Sequence, residues 1–227
     1  MKSKIFNNVC TSCTSKIDSF FQCGCKRCCE PTELGTYSSA LKCPKCEKGN
    51  VVPTDTKDTN ANWSCEACNE KIHPDKIAQV TRAVKDAGDK LDANPKIEDY
   101  EKFLKKYSSV LHPNHVIFID KKYTLAKMYG RMPGYEASDL SDEQFQRKRQ
   151  LCQDVLTLMD KIMPGQTRKR GMMLYEIHLP LVMLTNRYIQ STYAMTLRTL
   201  KYFVKSIANY FVGIYKEDQG VEFLLKH

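Results

Sequence analysis

Two C-x-x-C pairs stand at Cys43-Pro-Lys-Cys46 and Cys65-Glu-Ala-Cys68, with eighteen residues between them. A spacer of about 15–20 residues is what two zinc-binding knuckles need. Each C-x-x-C turn sets two sulfurs about one tetrahedral edge apart, and a short hairpin brings the second pair opposite the first. Pro44 stiffens the first knuckle, and Gly49 is expected to permit the reversal after it. Four thiolates close the coordination sphere, so such a site is structural: no position stays open for water or substrate. His73, five residues past Cys68, is read as an exposed histidine rather than a replacement ligand.

A second cluster, Cys23-Gly-Cys25-Lys-Arg-Cys28-Cys29, offers Cys23, Cys25 and Cys28 as three more ligands, with Gly24 easing the tight fold they require. It needs a fourth. Cys10-x-x-Cys13 and Cys29 are the local candidates. Of the 11 cysteines only Cys152 lies beyond Cys68. The opening Met1-Lys-Ser-Lys-Ile-Phe-Asn-Asn has no apolar signal core, so a reducing compartment, cytoplasm or nucleus, is expected, where paired cysteines mean metal rather than disulfides. No run of about 18 apolar residues is present to span a membrane. Lys and Arg exceed Asp and Glu by 35 to 26, a formal +9 that thiolate ligation of zinc would reduce. That excess argues only weakly for nucleic acid or an anionic membrane surface.

These cysteines must be positioned by a segment too short to bury a core, so metal substitutes for one over residues 20–73, with β-like pieces such as Asn50-Val-Val-Pro53. From residue 74 the pattern turns helical. Asp75 is read as an N-cap before the stripe Ile77, Val80, Val84, Leu91. Asn94-Pro95 opens a second helix along Ile97, Tyr100, Leu104, Tyr107 and Leu111, and Pro113-Asn114 a third through Ile117, Tyr123, Leu125 and Met128. Gly130 to Gly134 breaks the pattern. Ser141-Asp-Glu-Gln144 reads as a capping box, leading into Phe145, Cys152, Val155, Met159 and Ile162 until Pro164-Gly165. Two or three more helices follow to about Tyr215, with Pro180 as a kink. The expected fold is mostly α: an irregular zinc-stabilised module over 20–73, then an antiparallel, TPR-like helical domain over 74–227, with 1–19 unassigned.

The segment Phe21-Gln-Cys23-Gly-Cys25-Lys-Arg-Cys28-Cys-Glu-Pro-Thr-Glu-Leu-Gly-Thr36 resembles the post-SET region of the SET-and-MYND (Smyd) protein-lysine methyltransferases, arthropod branch. Leu41-Lys-Cys-Pro-Lys-Cys-Glu-Lys-Gly49 and Trp63-Ser-Cys-Glu-Ala-Cys68 fit the zinc ribbon that follows in that branch. Leu140-Ser-Asp, Arg147-Lys-Arg-Gln-Leu-Cys152 and Arg170-Gly-Met-Met-Leu-Tyr-Glu-Ile-His178 resemble the family's helical C-terminal domain, and the likeness extends from about Phe20 to Asn186. The resemblance implies S-adenosylmethionine-dependent lysine methylation and transcriptional regulation in full-length members. It implies Phe21 as one cofactor contact.

The family's Asn-His-x-Cys motif, which completes the post-SET zinc and holds the cofactor, has no counterpart here; Asn114-His115-Val-Ile117 begins the string without its cysteine. The glycine-rich cofactor segment and MYND finger are also missing, and Ser19 replaces the expected tyrosine. The chain is therefore expected to be a fragment without catalytic residues, with zinc as its cofactor and protein partners for its helical domain. The alternative is a self-standing zinc-ribbon adaptor for proteins or nucleic acid. His112 and His115 read as surface groups, His178 as a half-buried helix residue, and Arg147-Lys-Arg149 as a solvated face. Arg168-Lys-Arg170 opposes its helix dipole and favours an acidic neighbour or a phosphate. Tyr202, Phe203, Tyr210 and Phe211 repeat like core rather than a base-stacking platform.

Overall fold

The change of pattern near residue 73 is a change of secondary structure. The computed structural model describes residues 24–189 and 204–213. Before residue 73 the one-turn helix α1 (Lys26–Cys29) precedes four short strands, β1 (Leu41–Lys42), β2 (Asn50–Pro53), β3 (Trp63–Cys65) and β4 (Lys71–Ile72). They form an antiparallel meander in chain order, with Leu41 opposite Val51, Val51 opposite Cys65 and Trp63 opposite Ile72. After residue 73 come α2 (Pro74–Ala93), α3 (Ile97–Lys106), α4 (Val116–Met128), α5 (Asp142–Ile162) and α6 (Arg168–Ile189), and a further helix, α7, at 204–213. The chain is mostly helical with one small sheet, as the sequence implied. It divides into two compact units, the division falling between Lys122 and Tyr123.

In the first unit Ile77 and Val84 of α2 and Ile97, Tyr100, Phe103 and Leu104 of α3 are buried. The cap of α2 is His73 rather than Asp75: its Nδ1 accepts from the Asp75 amide at 3.4 Å. Pro74 takes the first helical position, where its missing N–H costs nothing, and so moves the cap back by two residues. The second helix ends at Lys106, not Leu111, and a 3-10 turn at Tyr107–Ser109 follows. Two demands on the backbone end it. The Ser108 hydroxyl takes the Lys105 carbonyl at 2.7 Å, and Val110 and Leu111 pair with β1, Lys42 N–H donating to Val110 O at 2.8 Å.

That pairing continues, with His112 N–H on Ala40 O at 3.2 Å and Val116 N–H on Ser38 O at 2.8 Å. His112 and His115, expected at the surface, are therefore covered: His115 is only 2% exposed and His112 half-buried against Tyr37, ring centroids 4.8 Å apart. Each Nδ1 accepts a backbone amide two residues on, Asn114 at 3.1 Å and Ile117 at 3.2 Å. Burial pulls both imidazoles down to about 4, helped at His112 by Lys42 and Lys122 and at His115 by His112. Lys121 is also buried, its Nζ on Asp92 at 2.8 Å, and Gly88 makes room for it, since a Cβ there would lie 2.9 Å from Lys121 Cε.

In the second unit the capping box forms as expected. Ser141 Oγ accepts from Gln144 N–H at 3.3 Å, and Gln144 Oε1 from Ser141 N–H at 2.8 Å. From it α5 buries Phe145, Leu151, Cys152, Val155, Leu158 and Met159, and α6 buries Met173 and Ile177. Pro180 lies inside α6. The Cys152 thiol is wholly buried and pushed up to about 12 by that burial, which no nucleophile could use at neutral pH. On α7, Tyr210 donates to Thr167 O at 3.0 Å and Phe211 meets Tyr175 edge-on, a packing role for both; Tyr202 and Phe203 lie outside the described residues.

The run Arg147-Lys-Arg149 is not a solvated face throughout: Lys148 is 0% exposed. Its Nζ donates to Ala126 O at 2.6 Å, Tyr129 O at 2.8 Å and Glu176 Oε2 at 2.8 Å, while Arg131 pairs with the other Glu176 oxygen. Carbonyls at the end of α4 have no helical partner, and the three ammonium protons are fully used on them and the carboxylate. Removing one partner of such a buried pair costs about 3–5 kcal/mol. Arg170 of the second basic run finds the acidic neighbour it was expected to favour in Asp160, near the end of α5, at 2.6 Å.

The depressed histidines give acid sensitivity a defined sign. His115 is neutral when folded, so its stabilisation is complete above the ordinary value of 6.5 and is lost as pH falls towards about 4. We expect denaturant titrations to show His115→Asn, whose Oδ1 can still cap Ile117 N–H, losing less stability across that window. The gap should reach about 3 kcal/mol near pH 4. Parallel pH curves for the two proteins would contradict the assignment.

Candidate metal centre

Each ribbon hairpin carries one knuckle at its turn. Cys43 follows β1 and its amide donates to Gly49 O at 2.9 Å; Cys65 ends β3 and its amide donates to Glu70 O at 2.9 Å. Inside each turn the residue after the second cysteine returns its amide to the first, Glu47 to Cys43 O at 3.0 Å and Asn69 to Cys65 O at 2.9 Å. Glu47 and Asn69 both sit at φ 57°, in the left-handed region. Asparagine tolerates that conformation, and glutamate takes it at some strain.

Gly49 therefore does not make the reversal. Its φ is not left-handed, and Glu47 supplies the turn. What Gly49 supplies is space: a Cβ there would lie 2.5 Å from Cys65 Sγ and 2.7 Å from Ala67 Cβ. The absent side chain lets the second knuckle approach the first.

The four sulfurs lie within 4.8 Å of one another, Cys43 and Cys65 buried, Cys46 and Cys68 half-buried. Cys43 Sγ is 3.6 Å from Cys68 Sγ, and Cys46 Sγ is 3.7 Å from Cys65 Sγ. Zinc–sulfur bonds of about 2.3 Å place tetrahedral neighbours about 3.8 Å apart, whereas a disulfide would need about 2.05 Å. The donor set and its spacing fit a zinc ion, and the cluster could hold one. Backbone amides already face the sulfurs, Gly49 N–H to Cys46 and Ala67 N–H to Cys65, each at 3.4 Å.

Electrostatics point the same way. The Gly49 and Lys48 amides draw the Cys46 thiol down to about 6. Cys68 is pushed up to about 12: the Glu70 amide pulls it down, but burial and the three neighbouring sulfurs outweigh that amide. Four adjacent thiols cannot all ionise without a cation among them, and a divalent metal deprotonates its thiol ligands outright.

Among the described residues no other group of three or more potential ligands comes together. Of the second cluster, Cys25 is exposed beside α1 and Cys28 half-buried on it, while Cys23 and its candidate partners Cys10 and Cys13 lie outside the described residues, as does Phe21. His73 is exposed at the start of α2, occupied in capping it.

No family model matches the chain. Among curated proteins it is similar to the SET domain-containing protein SmydA-8 of Drosophila melanogaster. It is 24% identical to isoform B over 160 residues, 69% of this chain and 35% of that protein. It is 23% identical to isoform A over 176 residues, 76% and 37% respectively. The chain thus spans about a third of the length of the relatives it matches, and it is related, distantly, to the Smyd-type SET-domain proteins.

Gly49→Ala tests the close approach of the knuckles. Overpacking at such a contact costs about 1–3 kcal/mol, so cobalt(II) should bind the variant about tenfold or more weakly than wild type. Thiolate-to-cobalt absorption during titration measures this, and equal affinities would show that the knuckles do not need the gap.

Proposed function

We propose that this chain is a zinc-binding, non-catalytic part of a Smyd-like protein, in which metal-fixed ribbon and helices present surfaces to protein partners. The observation that carries this reading is the four-sulfur cluster at tetrahedral spacing in a chain related to a SET-domain protein. Zinc at Cys43, Cys46, Cys65 and Cys68 is structural, because its sphere is filled. A second zinc belongs to Cys23, Cys25 and Cys28 with a fourth ligand still to be identified. Full-length members of the resembled family use S-adenosylmethionine to methylate protein lysines and act in transcriptional regulation. This chain alone lacks the Asn-His-x-Cys segment, so it neither holds the cofactor nor transfers methyl groups.

Partner binding is assigned to the helices. Tyr175 and Tyr188 on α6 and Val204 and Val212 on α7 are 52%, 70%, 48% and 52% exposed, and large exposed side chains of this kind support a docking role. Nucleic acid is the lesser alternative, and cytoplasm or nucleus the expected location. No helix among the described residues is long and apolar enough to cross a membrane.

Metal analysis of protein made with ample zinc should give between one and two ions per chain, and Cys65→Ser should remove one. Less than about half an equivalent in the wild type would end the zinc assignment. Separately, calorimetry with S-adenosylmethionine should detect no saturable binding. A cofactor-dependent methyl transfer to histones would show that the chain carries its own catalytic site.

A further inference from the structure

The start of α4 is capped from two places. A helix leaves its first amides without partners inside it. Two of those at α4 are satisfied locally: His115 N–H donates to His112 O at 2.8 Å, and Ile117 N–H to His115 Nδ1 at 3.2 Å. The amide between them, on Val116, donates instead to Ser38 O at 2.8 Å, just ahead of β1. The pairing runs on from there, with His112 N–H on Ala40 O at 3.2 Å and Lys42 N–H on Val110 O at 2.8 Å. Lys42 adjoins Cys43, whose own amide closes the first knuckle on Gly49 O at 2.9 Å.

A side chain makes a second link. The Tyr37 hydroxyl donates to Glu66 Oε1 at 3.2 Å, and Glu66 stands between Cys65 and Cys68 in the second knuckle. The Tyr37 ring lies against His112, centroids 4.8 Å apart. Its backbone is left-handed, at φ 55°, a conformation that a bulky aromatic residue keeps only when its surroundings hold it there. Tyr37 N–H on Thr32 O at 2.9 Å and Ala40 N–H on Tyr37 O at 3.1 Å close the turn around it. The side chain so placed spans from one knuckle to the residues that begin α4.

Both links have their far ends in the ribbon. β1 has two residues, too few to keep its register without the cysteines beside it. Four adjacent thiolates repel one another unless a cation lies among them, so a ribbon of this size folds around its metal. Loss of the metal therefore loosens Cys43 at the end of the first link and Glu66 at the end of the second.

We infer that metal occupancy of the ribbon sets the start of α4: zinc loss uncaps Val116 and uncovers His112 and His115, with Tyr37 as the side-chain link. The inference rests on the zinc reading of Cys43, Cys46, Cys65 and Cys68. It makes the ribbon a metal-responsive device whose state is reported at a helix that ligates nothing.

The full chain would be loaded with cobalt(II), so that thiolate-to-metal absorption measures occupancy, and amide hydrogen exchange followed by NMR before and after chelation. Chelation should speed exchange at Val116, Ile117 and Ile119 about tenfold or more, while Val84 of α2 and Tyr100 and Phe103 of α3 keep their protection. Tyr37→Gly suits the left-handed backbone and leaves the ligands in place, so it should still take up metal. In the loaded state it should speed exchange at the same α4 amides about fivefold, and after chelation it should match the wild type. Absence of thiolate-to-cobalt absorption would sink the zinc reading itself. Full occupancy with unaltered exchange at the α4 amides on chelation overturns the coupling, as does equal loss at Val84, Tyr100 and Phe103. A Tyr37→Gly effect of the same size with and without metal overturns the role of Tyr37 as the link.

Discussion

Everything in the first unit depends on holding four sulfurs at one point. β1 and β4 have two residues each, β3 three and β2 four, far too little sheet to be stable alone. What fixes the strands is the demand that Cys43 and Cys46 face Cys65 and Cys68. That demand sets the register of both hairpins and of the β2–β3 pair between them, because a slip by one residue would turn Cys65 to the opposite face. The helices inherit the constraint, since residues 38–42 hydrogen-bond along residues 110–116 as α4 begins.

The second unit solves a different problem by a different route. It has no metal cluster among the described residues, and its organising polar group is Lys148, which terminates one helix by satisfying its last carbonyls and holds another through Glu176. Buried ion pairs are weak evidence for net stability. Their more defensible contribution here is geometric, for only one arrangement of the end of α4, α5 and α6 gives all three ammonium protons an acceptor.

How much of this was legible in the sequence follows from how local each signal is. The two C-x-x-C pairs at Cys43/Cys46 and Cys65/Cys68 and the Ser141 box are written in local spacing; the four sulfurs come together and the box forms. Helix boundaries failed where the backbone had a distant claim on it, as when β1 took Val110 and Leu111 from the end of the second helix. Polar residues were misread for the same reason. Nothing near Lys148 distinguishes it from Arg147 or Arg149, and its burial depends on Glu176, twenty-eight residues away. His115 looks like any histidine near a helix start until residues 38–40 cover it. The importance of Gly49 was legible, but its reason was not, because the crowding sulfur belongs to the other knuckle.

The two units also differ in how their thiols meet a chemical label. Alkylating and disulfide reagents attack the thiolate, and Cys152, wholly buried with its thiol near 12, offers almost none at neutral pH. Its modification must wait until α5 and α6 part, so the labelling rate of that one sulfur clocks the opening of the second unit. The ribbon sulfurs are half-exposed in part and answer instead to whether a cation holds them. A single timed quench followed by peptide mass analysis would therefore read two independent openings from one sample.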